Sequence, residues 1–296
     1  MNKSISGLII ILSFLFLSFT PDNPAYKLYD KNGKEVKYSK MISDLKKHQI
    51  VFIGELHDNP ISHWMELQIT KDLYDSTTQN LILGAEMFES DNQLVIDEYL
   101  QKLFDDKKFE AELKLWKNYK TDYKPLMIFA RDNNLHFIAT NIPRRYANIV
   151  FKKGFDGLEG LSDEAKRYFA PLPINYDPEM KSYKDMLNMN DLPAGKAGKA
   201  AHAMANLPKA QAAKDATMAY FIDKNMEPGK IFIHYNGKYH SKDHEGIVWH
   251  LDKMNKGYKI VTVSTVLQSD ISKLDEEYLG EADYIICVPE DMTRTY

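Results

Sequence analysis

Residues 50–60 read IVFIGELHDNP, and this stretch decides the predicted fold class. Its first four residues, Ile50–Ile53, are apolar and mostly β-branched, which predicts a buried strand that stops at Gly54. Proline is favoured in the first turn of a helix, so we predict a helix over Pro60–Tyr74. Its inner face would carry the apolar residues Ile61, Trp64, Met65, Leu67 and Leu73. A strand that leads into a helix is half of a βα unit and indicates an α/β domain.

The same alternation of apolar runs and helical segments recurs along the chain. It predicts an α/β fold in which a mostly parallel sheet is flanked by helices. The further predicted strands are Leu81–Ala85, Leu135–Ala139, Lys230–His234, Lys259–Val263 and Tyr284–Val288.

Two segments between strands are unusually long and predict helical insertions. Residues 91–134 carry apolar residues at helical spacing and predict three helices. Residues 156–225 form the second insertion, and their middle, Leu192–Ala213, is rich in Ala, Gly and Lys, which is typical of a flexible or loosely packed helical lid. No internal repeat is evident, so we assign residues 21–296 to a single domain with these two insertions.

The composition is that of an ordinary globular protein. The 296 residues are 44% hydrophobic and 27% charged with a net charge of −4, which gives no reason to expect nucleic acid as a partner. Cys287 is the sole cysteine and lies in an apolar run, so the chain forms no intramolecular disulfide and carries no lipidated cysteine near its start.

Residues 1–20 have the layout of a secretory signal peptide. Lys3 supplies the positive charge, and the apolar run Leu8–Leu17 is shorter than the roughly 20 residues that span a bilayer. The cleavage site before Pro21 is poorly defined, so an uncleaved N-terminal anchor is the alternative. We therefore expect an exported protein, periplasmic or associated with the cell envelope.

Polar groups follow four predicted strands, and the carboxyl ends of such strands meet at one rim. Glu55, His57, Glu86 and His240 would form a set of two histidines and two carboxylates, suited to a divalent metal such as Zn, Mn or Co. The same residues could act without metal, because a histidine held by a carboxylate can serve as a general base. A purely structural role, in capping helices or pairing with Arg144, is the alternative.

Two residues of the second insertion suit haem as a second candidate ligand. Tyr183 and His202 in the second insertion are types that ligate haem iron, although Tyr and Met residues on amphipathic helices are more often core residues. For the remaining histidines we favour packing or surface positions at His48, His63, His136 and His250, and we consider His234 and His244 as supporting neighbours of the fourth-strand motif.

Five short motifs occur in order along the chain: Gly54-Glu55-Leu56-His57, Glu86-Met87-Phe88, Asn141-Ile142-Pro143, Gln211-x-x-x-Asp215-x-x-Met218-Ala219 and Gly237-Lys238-Tyr239-His240. Together they resemble the ChaN-like haem-binding uptake proteins of the Tiki superfamily, which also takes in erythromycin esterases and TraB proteins.

The resemblance implies two functions for this chain. ChaN-like members are exported or surface haem-binding proteins linked to iron acquisition, which implies haem as ligand, a homodimer with haem at its interface, and an uptake receptor. The Tiki and esterase branches imply instead a divalent-metal-dependent hydrolase of peptides or esters that uses Glu55, His57, Glu86 and His240. A third hypothesis is a scaffold in which the polar rim only stabilises strand ends.

Overall fold

The computed structural model describes residues 23–77, 80–188 and 204–296. Within these residues one seven-stranded sheet has the order β1-β7-β6-β2-β5-β3-β4, and only β1 runs antiparallel to its neighbour. Helices flank this sheet, which confirms the predicted fold class. The strands are β1 (Lys27–Asp30), β2 (Ile50–Glu55), β3 (Leu81–Glu89), β4 (His136–Asn141), β5 (Ile231–Gly237), β6 (Ile260–Gln268) and β7 (Tyr284–Pro289).

The six predicted strands are all present, and most extend further than the sequence indicates. Their polar carboxyl ends remain in the sheet, so Gly54 and Glu55 belong to β2, and Glu86 belongs to β3. The prediction that the strand stops at Gly54 is therefore wrong, because strand pairing continues through Glu55. The short β1 was not predicted; its four residues form an edge strand on β7.

The helices surround the sheet and fill the predicted insertions. Three α-helices lie in residues 91–134 as expected, and a π-helix at Tyr119–Tyr123 leads into the third. The α-helices are α1 (Tyr38–Leu45), α2 (Pro60–Ser76), α3 (Gln93–Leu100), α4 (Asp106–Glu112), α5 (Lys124–Asp132), α6 (Arg144–Lys153), α7 (Asp163–Lys166), α8 (Lys181–Asn188), α9 (Leu207–Lys224) and α10 (Ile247–Lys253).

Helix α2 carries polar residues on its inner face. The Asn59 side chain caps its start by accepting hydrogen bonds from two backbone amides. Met65 and Leu73 are buried as predicted, whereas Trp64 is 46% exposed. The helix is rotated so that His63 and Glu66 point inward and are buried. The placement of Trp64 on the inner face was therefore wrong.

Helix α9 corrects the expectation of a loosely packed lid for the part of Leu192–Ala213 that the structure describes. The small side chains of Ala210, Ala212 and Ala213 are buried, because they let the helix pack closely against its neighbours. Residues 189–203, which include His202, lie outside the described residues.

The signal segment also lies outside the described residues, so export stays a prediction. In the parts of the chain that the structure covers, we find no helix with the length and apolar character needed to cross a membrane. Cys287 is buried in β7 beside Ile285, as expected for a cysteine that packs as a small hydrophobe.

Candidate functional site

The two Gly-x-x-His segments lie side by side because β2 and β5 are neighbours in register, with Glu55 opposite Gly237. Each glycine makes room for the other segment. A Cβ atom on Gly54 would lie 3.0 Å from the Cα of Lys238, and one on Gly237 would lie 2.7 Å from the ring of His57. Both glycines are therefore required by close approach rather than by a turn.

His57 follows β2 and is held by Glu55. Its Nδ1 lies 2.5 Å from Glu55 Oε1, which also accepts a 2.8 Å hydrogen bond from the Tyr123 hydroxyl. The Trp116 ring contacts the imidazole edge-on at 4.9 Å. Burial lowers the pKa of His57, but the hydrogen bond and charge of Glu55 outweigh it, so the net pKa is raised.

Glu55 keeps its negative charge although it is fully buried. Burial raises its pKa, but hydrogen bonds and charges from His57 and His63 outweigh this effect and lower the pKa to about 2. A carboxylate in this state fixes the His57 ring, with Nδ1 as the paired nitrogen and Nε2 left on the side of Gly237.

His240 is held between two carboxylates. Its Nδ1 pairs with Asp215 Oδ1, and its Nε2 lies 3.1 Å from Glu86 Oε1. Burial lowers the pKa of His240, but the charges of Glu86 and Asp215 outweigh it and raise the pKa to about 9. The ring is therefore a buried cation at neutral pH.

Glu86 contacts the second Gly-x-x-His segment from an irregularity in β3. The register of β3 against β4 shifts between Ala85 and Glu89, and Glu86 lies within that shift. Its Oε2 accepts a 2.8 Å hydrogen bond from the backbone amide of Gly237. Although burial raises its pKa, the positive charge of His240 holds it far below the usual range.

These groups line a cavity of about 460 Å³ at the carboxyl ends of β2, β5, β3 and β4. The predicted convergence of four strand ends on one rim is thus confirmed by His57, Glu86, Asn141 and Gly237, which all line it. Arg144 and Lys214 add positive charge, and the apolar walls come from Met87, Trp116, Ile142 and Met186.

The four predicted catalytic or metal-ligating residues meet as two pairs. Glu55 holds His57, and Glu86 holds His240. Among the described residues, the one group of three or more ligand-type side chains whose ligand atoms lie within 4.8 Å of one another is Glu55, His63 and Glu66, which shares only Glu55 with the predicted set. Metal binding by the set of four stays a prediction.

Tyr183, one of the two predicted haem ligands, does not line this cavity. Tyr183 is buried in α8, and its hydroxyl donates a 3.0 Å hydrogen bond to Asp215 rather than pointing into the cavity. Burial raises the pKa of Tyr183 far above its usual range, with the Asp215 charge adding to the effect. His202 lies outside the described residues, so both assignments stay predictions.

The remaining histidines divide into surface and buried positions. His136 is exposed, and His48 contacts the backbone carbonyl of Asp44. His250 is buried beside Trp249. His234 is buried between Thr140 and Asn236, and His244 pairs with Asp283 instead of supporting His240.

Sequence reasoning missed the partners that the fold brings to each histidine. Asp215 and Gln211 belong to a quoted motif, but nothing local assigns them to His240, which both contact. His63 was expected to be a packing or surface residue, and it is instead buried among Glu55, Glu66 and Asp122. The available signal was the His63-x-x-Glu66 spacing, which puts both side chains on one helix face.

Residues 41–251 match the sequence model of a family described as haem-binding uptake, Tiki superfamily, ChaN. The chain belongs to this family. The resemblance inferred from the five motifs is confirmed. As a member of the ChaN family, the chain shares the fold of a solved structure that describes cofacial haem binding to ChaN of Campylobacter jejuni, with a TM-score of 0.65, 19% identity, and coverage of 88% of this chain and 96% of that chain.

Two further proteins are similar to this chain over different shares of their lengths. An erythromycin esterase in its open conformation has a TM-score of 0.49 and 10% identity, covering 89% of this chain and 97% of that one. Protein RETICULATA-RELATED 5, chloroplastic, of Arabidopsis thaliana is 27% identical over 168 residues, which is 54% of this chain and 22% of that protein. This chain therefore spans about a fifth of the length of the plant relative.

Proposed function

We propose that this chain is an exported haem-binding protein that serves iron or haem acquisition. The observation that carries the proposal is the cavity at the carboxyl ends of the strands, in a chain of the haem-binding ChaN family. Cofacial haem binding is described for ChaN of Campylobacter jejuni, and we extend haem as the ligand to this chain. A homodimer and an uptake receptor are the partners that this function would require.

The lining of the cavity fits the chemistry of haem. Met87, Trp116 and Ile142 offer an apolar surface for the porphyrin. Lys214 offers positive charge for its propionates, and Arg144 would have to share its charge with Glu89, its partner at 3.3 Å. A haem bound there would supply its iron as the centre to be ligated and transported. The residues of the chain would bind and orient it.

His57 is the cavity residue that we propose would ligate the haem iron. Its Nδ1 is paired with Glu55, so Nε2 is the nitrogen that would meet iron, and a carboxylate on the other ring nitrogen is the usual support for a ligating histidine. Tyr183 would first have to give up its hydrogen bond to Asp215. We therefore place His57 ahead of Tyr183 and His202 as the ligand to test.

Titration of the purified chain with hemin tests this proposal. We expect a shifted Soret band that saturates near stoichiometry, and an affinity lowered at least about ten-fold by His57→Ala. Tyr183→Phe and His202→Ala test the two earlier assignments, and His48→Ala is the control, since His48 does not line the cavity. Weak, unsaturable binding by the unchanged chain would contradict the proposed function.

A divalent-metal-dependent hydrolase of esters or peptides is the second candidate. The specific observation in its favour is that two histidines, each held by a carboxylate, line one cavity. In this function His57 would accept a proton from water, and the His240 cation would stabilise negative charge. Assays of ester and peptide hydrolysis with metal-depleted and metal-loaded protein test it, and unchanged activity in His57→Ala would exclude it.

A further inference from the structure

Behind His57, on the side away from the cavity, lies a second group of ligand-type side chains. Glu55 at the end of β2 and His63 and Glu66 on α2 place ligand atoms within 4.8 Å of one another, and all three residues are buried. We propose that Glu55, His63 and Glu66 form a binding site for one divalent transition-metal ion. This site goes beyond the proposed haem function and requires no haem.

Three carboxylates surround the imidazole of His63. His63 Nδ1 lies 3.2 Å from Glu66 Oε2 with hydrogen-bond geometry, and 3.1 Å from Glu55 Oε2 without it. A single N–H cannot serve both carboxylates. Asp122 adds a third carboxylate, 3.4 Å from His63 Nε2. With every carboxylate ionised, the group would carry more buried negative charge than the histidine can neutralise, and a divalent cation would compensate it.

Two buried oxygens of the adjacent glutamates have no hydrogen bond. Glu66 Oε1 accepts none from the residues that the structure describes, and Glu55 Oε2 has only its contact with His63 Nδ1 at 3.1 Å. Buried carboxylate oxygens are normally satisfied, so the unpartnered Glu66 oxygen beside the Glu55 carboxylate indicates room for a further positive group. Both carboxylates belong to residues that are at least 99% buried by accessible surface, with Glu55 at 1% and Glu66 at 0% exposure.

The spacing of the ligand atoms matches that of atoms bound to a single ion. Two atoms that are each about 2.1 Å from one ion lie about 3.0 Å apart at a right angle and about 3.4 Å apart at a tetrahedral angle. The distances from His63 Nδ1 to the Glu55 and Glu66 oxygens, 3.1 and 3.2 Å, fall in this interval. Small rotations of the side chains would then suffice to admit the ion.

The surroundings support His63 as a ligand through Nδ1. Its Nε2 lies 3.2 Å from the backbone carbonyl of His57 and close to Asp122, both of which accept hydrogen bonds. A proton on Nε2 leaves the Nδ1 lone pair for the ion, and this is the usual arrangement of a ligating histidine. Asn118 holds Asp122 in place with a 2.7 Å hydrogen bond.

The ligand types narrow the choice of ion. Two carboxylates with one imidazole suit Zn²⁺, Mn²⁺ or Fe²⁺ better than Ca²⁺ or Mg²⁺, which prefer all-oxygen sites. The ion would contact one oxygen of Glu55 while the other holds His57, so the site would fix the orientation of the cavity histidine from behind.

Metal binding to the full chain after chelator treatment tests the proposal. The protein is dialysed against Zn²⁺ alone or Mn²⁺ alone and its metal content is measured, and Co²⁺ is added separately because its visible absorption reports nitrogen and oxygen ligation. We expect about one ion per chain. Glu66→Gln should abolish binding, and Asp122→Asn should weaken it about 10- to 100-fold.

Matched variants separate the new site from the cavity. Glu281→Gln changes another buried carboxylate, one paired with Lys238, and should leave ion binding unchanged. Glu86→Gln should likewise keep the ion, which distinguishes this site from the set of Glu55, His57, Glu86 and His240. Unfolding curves of the metal-free variants show whether each one folds.

Two results would overturn the proposal. One is the absence of stoichiometric binding of Zn²⁺, Mn²⁺ and Co²⁺ by the unchanged chain, in which case Glu66 holds only a proton. The other is an ion that survives Glu66→Gln in a folded protein but is lost in Glu86→Gln. Hemin titration of Glu66→Gln is read separately: saturable hemin binding without the ion would leave the haem proposal standing whatever the metal result.

Discussion

The two histidines of the Gly-x-x-His segments follow neighbouring strands and yet have different surroundings. The side chain of His57 is 39% exposed and has one carboxylate partner through Nδ1, whereas that of His240 is 6% exposed and has carboxylates on both nitrogens. His57 thus keeps Nε2 for a ligand, and His240 keeps neither ring nitrogen free.

This difference indicates a division of roles. His240 neutralises Glu86 and Asp215 and so holds the cavity wall together as a buried cation. His57 is the group that can meet haem, water or substrate. A sequence motif repeated twice therefore does not imply two equivalent functional residues.

The largest expected effect on stability comes from removing the imidazole rings of His240 and His57 in separate variants. His240→Ala leaves Glu86 and Asp215 buried without their cation, and breaking such a pair costs about 3–5 kcal/mol of unfolding free energy. His57→Ala should cost about 1 kcal/mol, because Glu55 retains His63 and Tyr123. Urea unfolding of both variants measures the comparison, and equal losses would show that the two sites are equivalent.

The second largest expected effect is a loss of unfolding free energy as the pH rises. The folded-state pKa of His240 is about 9, above the unfolded value of 6.5, so its stabilisation is fully present below pH 6.5 and is lost as the pH rises towards 9. At about 1.4 kcal/mol per pKa unit, the unfolding free energy of the unchanged chain should fall by at most about 3 kcal/mol over this window relative to His240→Gln. Parallel pH profiles for the two proteins would contradict the assignment of His240 as a buried cation.

The sequence was sufficient to predict six of the seven strands and the polar rim at their carboxyl ends, because short apolar runs identify buried strands. It could not identify Asp215 as the partner of His240, since the two residues meet only when α9 packs beside the end of β5. The same limit applies to Glu86, whose position within β3 depends on a register shift that no local pattern indicates.

Helix α2 shows why the second group of ligands was missed. Both faces of the helix carry apolar side chains, so the pattern alone does not decide which face is buried. We expected Trp64 inside and His63 packed or exposed, and the structure has Trp64 half-exposed and His63 buried. The choice is set by what the neighbouring strand and π-helix offer, namely Glu55, Asp122 and Tyr123.

A smaller effect should distinguish the two glycines. A Cβ on Gly54 would meet the Cα of Lys238 and the carbonyl oxygen of Val263, which are backbone atoms of paired elements, so Gly54→Ala should cost about 1–3 kcal/mol. A Cβ on Gly237 would meet only the His57 ring closely. Gly237→Ala should therefore cost less stability but displace His57, which a lowered pKa of His57 in an NMR titration would reveal. An unchanged His57 titration would contradict this close approach.

The smallest expected effect on stability is that of Tyr123→Phe, which tests how Glu55 holds His57. Tyr123→Phe removes the hydroxyl that donates to Glu55 Oε1 and keeps the ring against Trp116 and His63. Loss of one buried hydrogen bond to a charged acceptor should cost about 1–3 kcal/mol at most, and nearer the lower end because His57 and His63 still compensate Glu55. Tyr99→Phe is the matched control, since its hydroxyl donates to Asp106 away from the cavity. If hemin affinity falls in Tyr123→Phe but not in Tyr99→Phe, then Glu55 orients His57 for its ligand; equal affinities in both variants would mean that Glu55 holds His57 without help from Tyr123.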